Sequence, residues 1–292
     1  MRVLVTGAFG QVGSEVASCF RRQGHAVDAP AKKDLNLLRP DQIRQTVAAC
    51  KPDWVINCAA YTQVDRAESE AATAFRINRD GAEHLAQAVA RSGARMLHVS
   101  TDYVFDGLQE RPYRETDPAG PRSVYGRSKL AGEQAVLAAL PGAIVLRTAW
   151  VYGIRGKNFV KTMLRLAATG QTLRVVNDQK GTPTAAAEIA QAIAGLTRCD
   201  RTGVFHFTNA GETTWYGFAV AILEEARRIG FRIRTDAVAP ISTDEYPVAA
   251  TRPACSVLDT TKIRPCLDRP APAWRDSLRT MLGELYTCAD CW

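Results

Sequence analysis

The 292-residue chain has no run approaching the roughly 18 uninterrupted apolar residues of a membrane-spanning helix, so no membrane is expected among its partners. No leader segment is expected either. Met1 to Thr6 reads as a strand because Gly7 and Gly10 follow at once, and a chain without a targeting segment is expected in the cytoplasm. No dense Lys/Arg run with interleaved aromatics is present. The net charge of +7 comes from bases spread along the whole chain, which suits a small anionic ligand and gives no reason to expect a nucleic acid polymer. The eight cysteines are scattered, and Cys288 and Cys291 make one C-x-x-C with no second pair. That pattern reads as reduced thiols and a frayed tail, not as a zinc or redox centre. No internal repeat or low-complexity linker divides the chain.

What is present is an alternation of strands and helices. Arg2 to Thr6 is a short β-branched run ending in Gly7-Ala8-Phe9-Gly10-Gln11-Val12-Gly13, and Val12, Val16, Ala17 and Phe20 then recur at helical spacing. A glycine-rich turn joining a strand to a helix is the setting of a dinucleotide site. Gly7 permits the tight turn, Gly10 lets the backbone approach a pyrophosphate, and Gly13 lets helix and strand pack closely. Anionic phosphates then sit at the helix N-terminus. Further strands are expected at 25–29, 52–57, 95–99 and 143–147, with a helix at 40–50 and a helical region at 66–90. The second strand ends Ala29-Pro30 with Lys32 and Lys33 close behind. A base near this point favours the 2′-phosphate of NADP, whereas an acid would favour NAD, so NADPH is expected, with NADH as the alternative. Strand–helix alternation of this kind implies a right-handed, doubly wound parallel sheet.

The chemistry centres on Val124-Tyr125-Gly126-Arg127-Ser128-Lys129. Tyr125 and Lys129, four residues apart on a helix, lie on one face. An ammonium beside a phenol favours the phenolate, and bringing the Tyr pKa from about 10 to about 7 would strengthen the acid by roughly 4 kcal/mol. Such a phenol can hand a proton to a carbonyl oxygen as it becomes an alkoxide. The spacing alone is common and on most helices is a solvated pair. Here the fourth strand also delivers Thr101 at its carboxyl end, the side on which such sheets bind ligands.

The G-x-x-G-x-x-G spacing resembles that of the extended short-chain dehydrogenase/reductases. The chain as a whole resembles their dTDP-4-dehydrorhamnose reductase branch, which carries a Gln at the position of Gln11. The matching blocks are Ser100-Thr101-Asp102-Tyr103-Val104-Phe105 with Gly107, Arg147-Thr148-Ala149-Trp150-Val151-Tyr152-Gly153 and Asn158 to Met163. Asn177-Asp178-Gln179 with Gly181 and Pro183-Thr184, Thr213-Thr214-Trp215, and Arg252-Pro253 complete the set. The resemblance implies a Rossmann-type α/β fold, with a dinucleotide-binding domain at 1–149. Residues 150–292 form a smaller, interleaved C-terminal region that binds substrate and in part packs back on the first domain. It implies reduction of the C4 ketone of dTDP-4-dehydro-β-L-rhamnose for cell-surface polysaccharide synthesis, such as lipopolysaccharide O-antigen. Tyr125 is the implied acid, Lys129 lowers its pKa and holds the nicotinamide ribose, and Thr101 donates to the carbonyl oxygen. Gly7, Gly10, Gln11, Val12, Gly13, Asp34, Leu35, Ala60, Tyr61, Thr62 and Val99 are implied at the cofactor, and Tyr103 and Trp150 with Thr101 at the substrate.

Related 4,6-dehydratases place a Glu after the Thr-Asp pair, where this chain has Tyr103, which argues against elimination of water. The resemblance further implies a homodimer with Mg²⁺ held by Glu15, Glu188 and Glu284, hard oxygen ligands suited to that ion; solvated surface glutamates are the alternative. Two other functions remain open on the sequence: reduction of a different nucleotide ketosugar, and a non-catalytic NADP-binding subunit resembling the regulatory subunit of methionine adenosyltransferase.

Overall fold

A computed structural model describes residues 1–235 and 237–288; Cys291, and with it the C-x-x-C pair, lies outside the described residues. Five strands come from the first half of the chain: β1 (Arg2–Thr6), β2 (Ala26–Asp28), β3 (Trp54–Asn57), β4 (Arg95–Thr101) and β5 (Ile144–Thr148). A sixth, Gly203–His206, comes from the second half. All pair in parallel, in the order β2-β1-β3-β4-β5 and then Gly203–His206. Every residue of β3 and of β5 is buried. Parallel strands covered on both faces read in this way as near-continuous apolar runs.

Alternation along β1 divides two cores. Val3 and Val5 face a layer built by the helix α1 (Gln11–Arg22), through Val16 and Phe20, and by the Ala186–Arg198 helix, through Ile189 and Ile193. Leu4 faces the opposite layer, with Ile43 and Val47 of the Pro40–Cys50 helix and Leu85 and Val89 of the Ala82–Ser92 helix. The helical region expected at 66–90 is instead three α-helical pieces, with a wider π-helical turn over Arg76–Gly81, which contains Asn78, between the second and third. A separate core gathers the later helices Phe159–Ala167, Trp215–Ile229 and Trp274–Thr287 around Phe218, Ile222, Leu278 and Leu282. Its C-terminal helix is clamped by buried Glu225, which accepts from Arg275 and Arg279.

The order of strands reverses between β1 and β3, and the crevice beyond their carboxyl ends is where such sheets bind ligands.

Candidate active site

The turn after β1 is shaped by the lack of side chains. Gly7 has φ +65°, and a Cβ there would lie 2.7 Å from the Ala59 nitrogen beyond β3. A Cβ on Gly13 would lie 2.2 Å from the Gly7 carbonyl oxygen, so α1 reaches the strand only because residue 13 is glycine. The turn opens onto one continuous cleft of about 800 Å³, which runs from Gly7, Gly10, Gln11, Val12 and Gly13 past Val99, Thr101, Tyr125 and Lys129 to Trp150 and Trp215. A helix N-terminus beside a glycine-lined wall fits a pyrophosphate, so the residues present fit a dinucleotide.

Tyr125 is positioned by the start of its helix, Val124–Ala139. Ser123 caps that helix by accepting from the Gly126 nitrogen at 3.1 Å. Gly126 lies against Tyr103; a Cβ would meet the Tyr103 carbonyl oxygen at 2.2 Å. The Tyr103 and Tyr125 rings are consequently edge-to-face at 5.6 Å. Nearly two turns later, Gly132 lets the helix lie on the π-helical turn, where a Cβ would meet the Asn78 carbonyl oxygen at 2.1 Å. Asn78 donates to Ser128 Oγ at 2.9 Å and holds both polar backbone groups of Tyr61.

The expected depression of the Tyr125 pKa is overturned. Burial pushes the phenol up to about 12, a hydrogen bond from Thr101 opposes this, and the Asp102 charge adds to it. Lys129 does not face the phenol with a free charge. Its Nζ donates to the Val99 carbonyl at 2.7 Å and lies 3.3 Å from His98 Nε2. Burial lowers Lys129 itself to about 8, with the Glu133 and Cys58 charges acting the other way. Tyr125 therefore holds its proton at neutral pH. Thr101 Oγ1 donates to Asp102 Oδ1 at 3.0 Å, and burial raises the Asp102 carboxyl to about 6. The single Thr101 proton thus has two acceptors, Asp102 and the phenol.

Most of the expected cofactor residues meet in the cleft: the glycine turn, Leu35, Ala60, Thr62 and Val99 line it. Asp34 does not; it is exposed on a turn, and Lys32 lines the wall near it. Tyr61 does not line it either. Its hydroxyl donates to Glu70 and its ring packs with Ala67 and Ala74. Tyr103 and Trp150 line the far end. Trp150 has φ +46° and stacks on Trp215 at 3.6 Å, and a Cβ on Gly181 would lie 2.4 Å from its indole. The Gly181 and Thr213–Trp215 blocks therefore meet around one ring. Arg252 donates to Asp65 through both terminal guanidinium nitrogens.

The three glutamates expected to hold Mg²⁺ do not form a site. Both Glu188 oxygens accept from Arg269 at 2.8 Å. Burial and then the Glu284 charge raise the Glu15 carboxyl, which sets those two at odds. Among the described residues no group of three His, Cys, Asp or Glu side chains is placed to hold a metal.

Residues 1–287 match the family model described as the RmlD substrate binding domain. The chain belongs to that family. A dTDP-4-dehydrorhamnose reductase of Burkholderia thailandensis is 43% identical, with 98% of this chain and 100% of that protein aligned. The spore coat polysaccharide biosynthesis protein SpsK of Bacillus subtilis is 42% identical over 99% of both chains. Among solved structures, dTDP-4-dehydrorhamnose reductase from Bacillus anthracis in complex with NADP superposes with a TM-score of 0.92 at 36% identity, covering 97% of this chain and 99% of that one. The resemblance read from the sequence blocks is borne out, as is the parallel α/β fold.

Residues that the sequence reading missed act behind those it found. Ser123 carried a signal, a serine directly before the helical run. Asn57, His98 and Ser128 carried none, because their partners are distant in the chain.

Proposed function

We infer that this member of the RmlD family is an oxidoreductase that uses NADPH to reduce the C4 ketone of dTDP-4-dehydro-β-L-rhamnose to dTDP-L-rhamnose. The observation that carries the reading is the single cleft joining the glycine turn to Thr101, Tyr125 and Lys129, and then to the Trp150–Trp215 stack. The relatives' printed activities and the NADP bound to the Bacillus anthracis protein support the substrate and the phosphorylated cofactor. Lys32 on the adenosine side of the cleft supports the latter too.

When bound, the reduced nicotinamide supplies the hydride; the chain supplies the rest. The phenol of Tyr125 donates its proton to the oxygen of the reacting carbonyl. Thr101 donates a hydrogen bond to that oxygen in place of its bond to Asp102, a preorganised electrostatic contribution. Lys129, which lines the same cleft with its Nζ on the Val99 carbonyl, would hold the nicotinamide ribose hydroxyls when the cofactor is bound. The indole of Trp150 forms an apolar wall for the sugar nucleotide, and the surrounding second core excludes water and fixes the approach. Among the described residues no helix is long and apolar enough to cross a membrane, and a cytoplasmic biosynthetic role belongs to this reading.

The test is a substrate panel of purified protein with dTDP-, UDP- and GDP-linked 4-ketosugars, each assayed with NADPH and NADH. Turnover highest with the dTDP sugar and NADPH is the expected outcome. Higher turnover with another nucleotide would reassign the substrate, and none with any would point to a non-catalytic NADP-binding subunit.

A further inference from the structure

A row of buried polar side chains crosses three neighbouring strands behind the cleft. Thr6 at the end of β1 is the register partner of Asn57 at the end of β3, and Asn57 is the partner of His98 in β4; all three are buried. Thr6 Oγ1 donates to Asn57 Oδ1 at 2.6 Å, and the Ala59 backbone nitrogen donates to the same oxygen at 3.2 Å. A backbone N–H can only donate, so this end of the Asn57 amide is its oxygen and the other its nitrogen. The Asn57 Nδ2 then donates to His98 Nδ1 across 2.8 Å. Because Nδ1 accepts, it carries no proton, and the one proton of the neutral ring sits on Nε2. An imidazolium would set two donors against each other here. Burial first, and the Lys129 charge second, hold His98 well below the usual histidine range.

His98 Nε2 faces Lys129 Nζ at 3.3 Å. An ammonium has three donors and no acceptor, so only the neutral amine can complete that hydrogen bond while Nζ also donates to Val99. We propose that His98 is a positioning residue: locked as the Nε2–H tautomer by Asn57, it presents a donor to Lys129 and shifts that side chain towards the neutral amine. The ionisable groups around Lys129 are His98 on β4, Cys58 just past β3, and Glu133 one turn on along its own helix. Glu133 and Cys58 favour the ammonium, and burial opposes them. The His98 donor acts in the same direction as burial. Lys129 is thereby a group whose charge responds near working pH, and that response is set from outside the cleft by an asparagine that touches neither Tyr125 nor Lys129. The effect on turnover rests on the reductase reading; the tautomer does not.

The proposal is tested on the ligand-free full chain by nitrogen-15 NMR of the histidines and carbon-13 NMR of the lysine ε carbons, with His98 and Lys129 assigned by substitution. Wild-type His98 is expected to show a protonated Nε2 and an unprotonated Nδ1 from about pH 6 to about pH 9. A proton on Nδ1 anywhere in that range overturns the proposal. In His98→Gln the side chain can turn its carbonyl to Lys129, and the Lys129 midpoint should rise by about one pH unit or more; an unmoved midpoint in the folded variant also overturns it. Asn57→Asp leaves only acceptors facing His98 and should move the ring proton to Nδ1; retention of the Nε2–H form would contradict the lock. If His98→Gln fails to fold, the wild-type tautomer still decides. In assays, the pH at which kcat of His98→Gln falls should move with the Lys129 midpoint while KM stays near wild type. Absence of reductase activity would sink the functional reading and leave the NMR outcomes intact.

Discussion

Tyr125 keeps its proton because it is buried, and that state suits a residue that must donate one. Replacing it with Phe keeps the ring against Tyr103 and removes only the donor. In NADPH-oxidation assays with the dTDP ketosugar, kcat of Tyr125→Phe should fall by about 10²–10⁴, with NADPH affinity by fluorescence titration close to wild type; retention of most of kcat would remove Tyr125 as the acid. Its neighbour Asp102 carries the opposite liability. The carboxyl rises from 3.8 to about 6 on folding because burial outweighs the hydrogen bonds from Ser256 and Thr101 that oppose it. A raised acid binds protons more tightly in the folded state, so stability is lost as pH climbs from 3.8 through about 6. Two units correspond to up to about 3 kcal/mol at neutral pH. Asp102→Asn, whose oxygen can still accept from Thr101, should gain on the order of 1–3 kcal/mol at neutral pH and nothing below the ordinary Asp pKa. Urea unfolding at both pH values checks this, and an equal gain at both would show that ionisation is not the cause.

The active-site helix is held to the sheet by a buried ion pair. Arg147 of β5 donates to Glu133 through Nε and Nη2, with both side chains almost wholly enclosed, and Ser100 of β4 donates to the same carboxylate. Removing one partner leaves a buried charge uncompensated, so Glu133→Ala should lose about 3–5 kcal/mol in chemical denaturation. Glu133→Leu with Arg147→Met should recover most of that; equal losses in single and double variants would mean that packing, not charge, is the term. The helix itself was legible: Tyr125, Lys129 and the glycines that let it approach stand in one short run, and local spacing is what a sequence displays. Which way Lys129 turns was not legible. Its direction is decided by the Val99 carbonyl and His98, which join the helix only through the fold, so the reading put the ammonium on the phenol. The same limit explains Asp34 and Tyr61. Their loops were placed correctly beside the cleft, but side-chain direction in a loop has no periodicity to betray it. The Gly203–His206 strand escaped for a related reason, since a four-residue run does not announce a partner as distant as β5.

That late strand and the Ala186–Arg198 helix decide how the whole molecule folds. The strand covers the edge of β5, and the helix sets Ile189, Ile193 and Leu196 against Val5, Val16 and Phe20. A fragment of residues 1–149 would therefore leave β5 with an unpaired edge and one face of the sheet open to water, a combination that favours aggregation. Asn158 also donates to Gln11 Oε1 at 3.0 Å, tying the later region to the first turn of α1 at the cleft. The full chain should accordingly unfold in one cooperative transition, with far-ultraviolet and near-ultraviolet circular dichroism coinciding. The fragment should lack the near-ultraviolet signal and bind a hydrophobic dye. A soluble fragment with native near-ultraviolet dichroism and NADPH affinity would show that the first half holds its core unaided, and that the later helices serve the substrate alone.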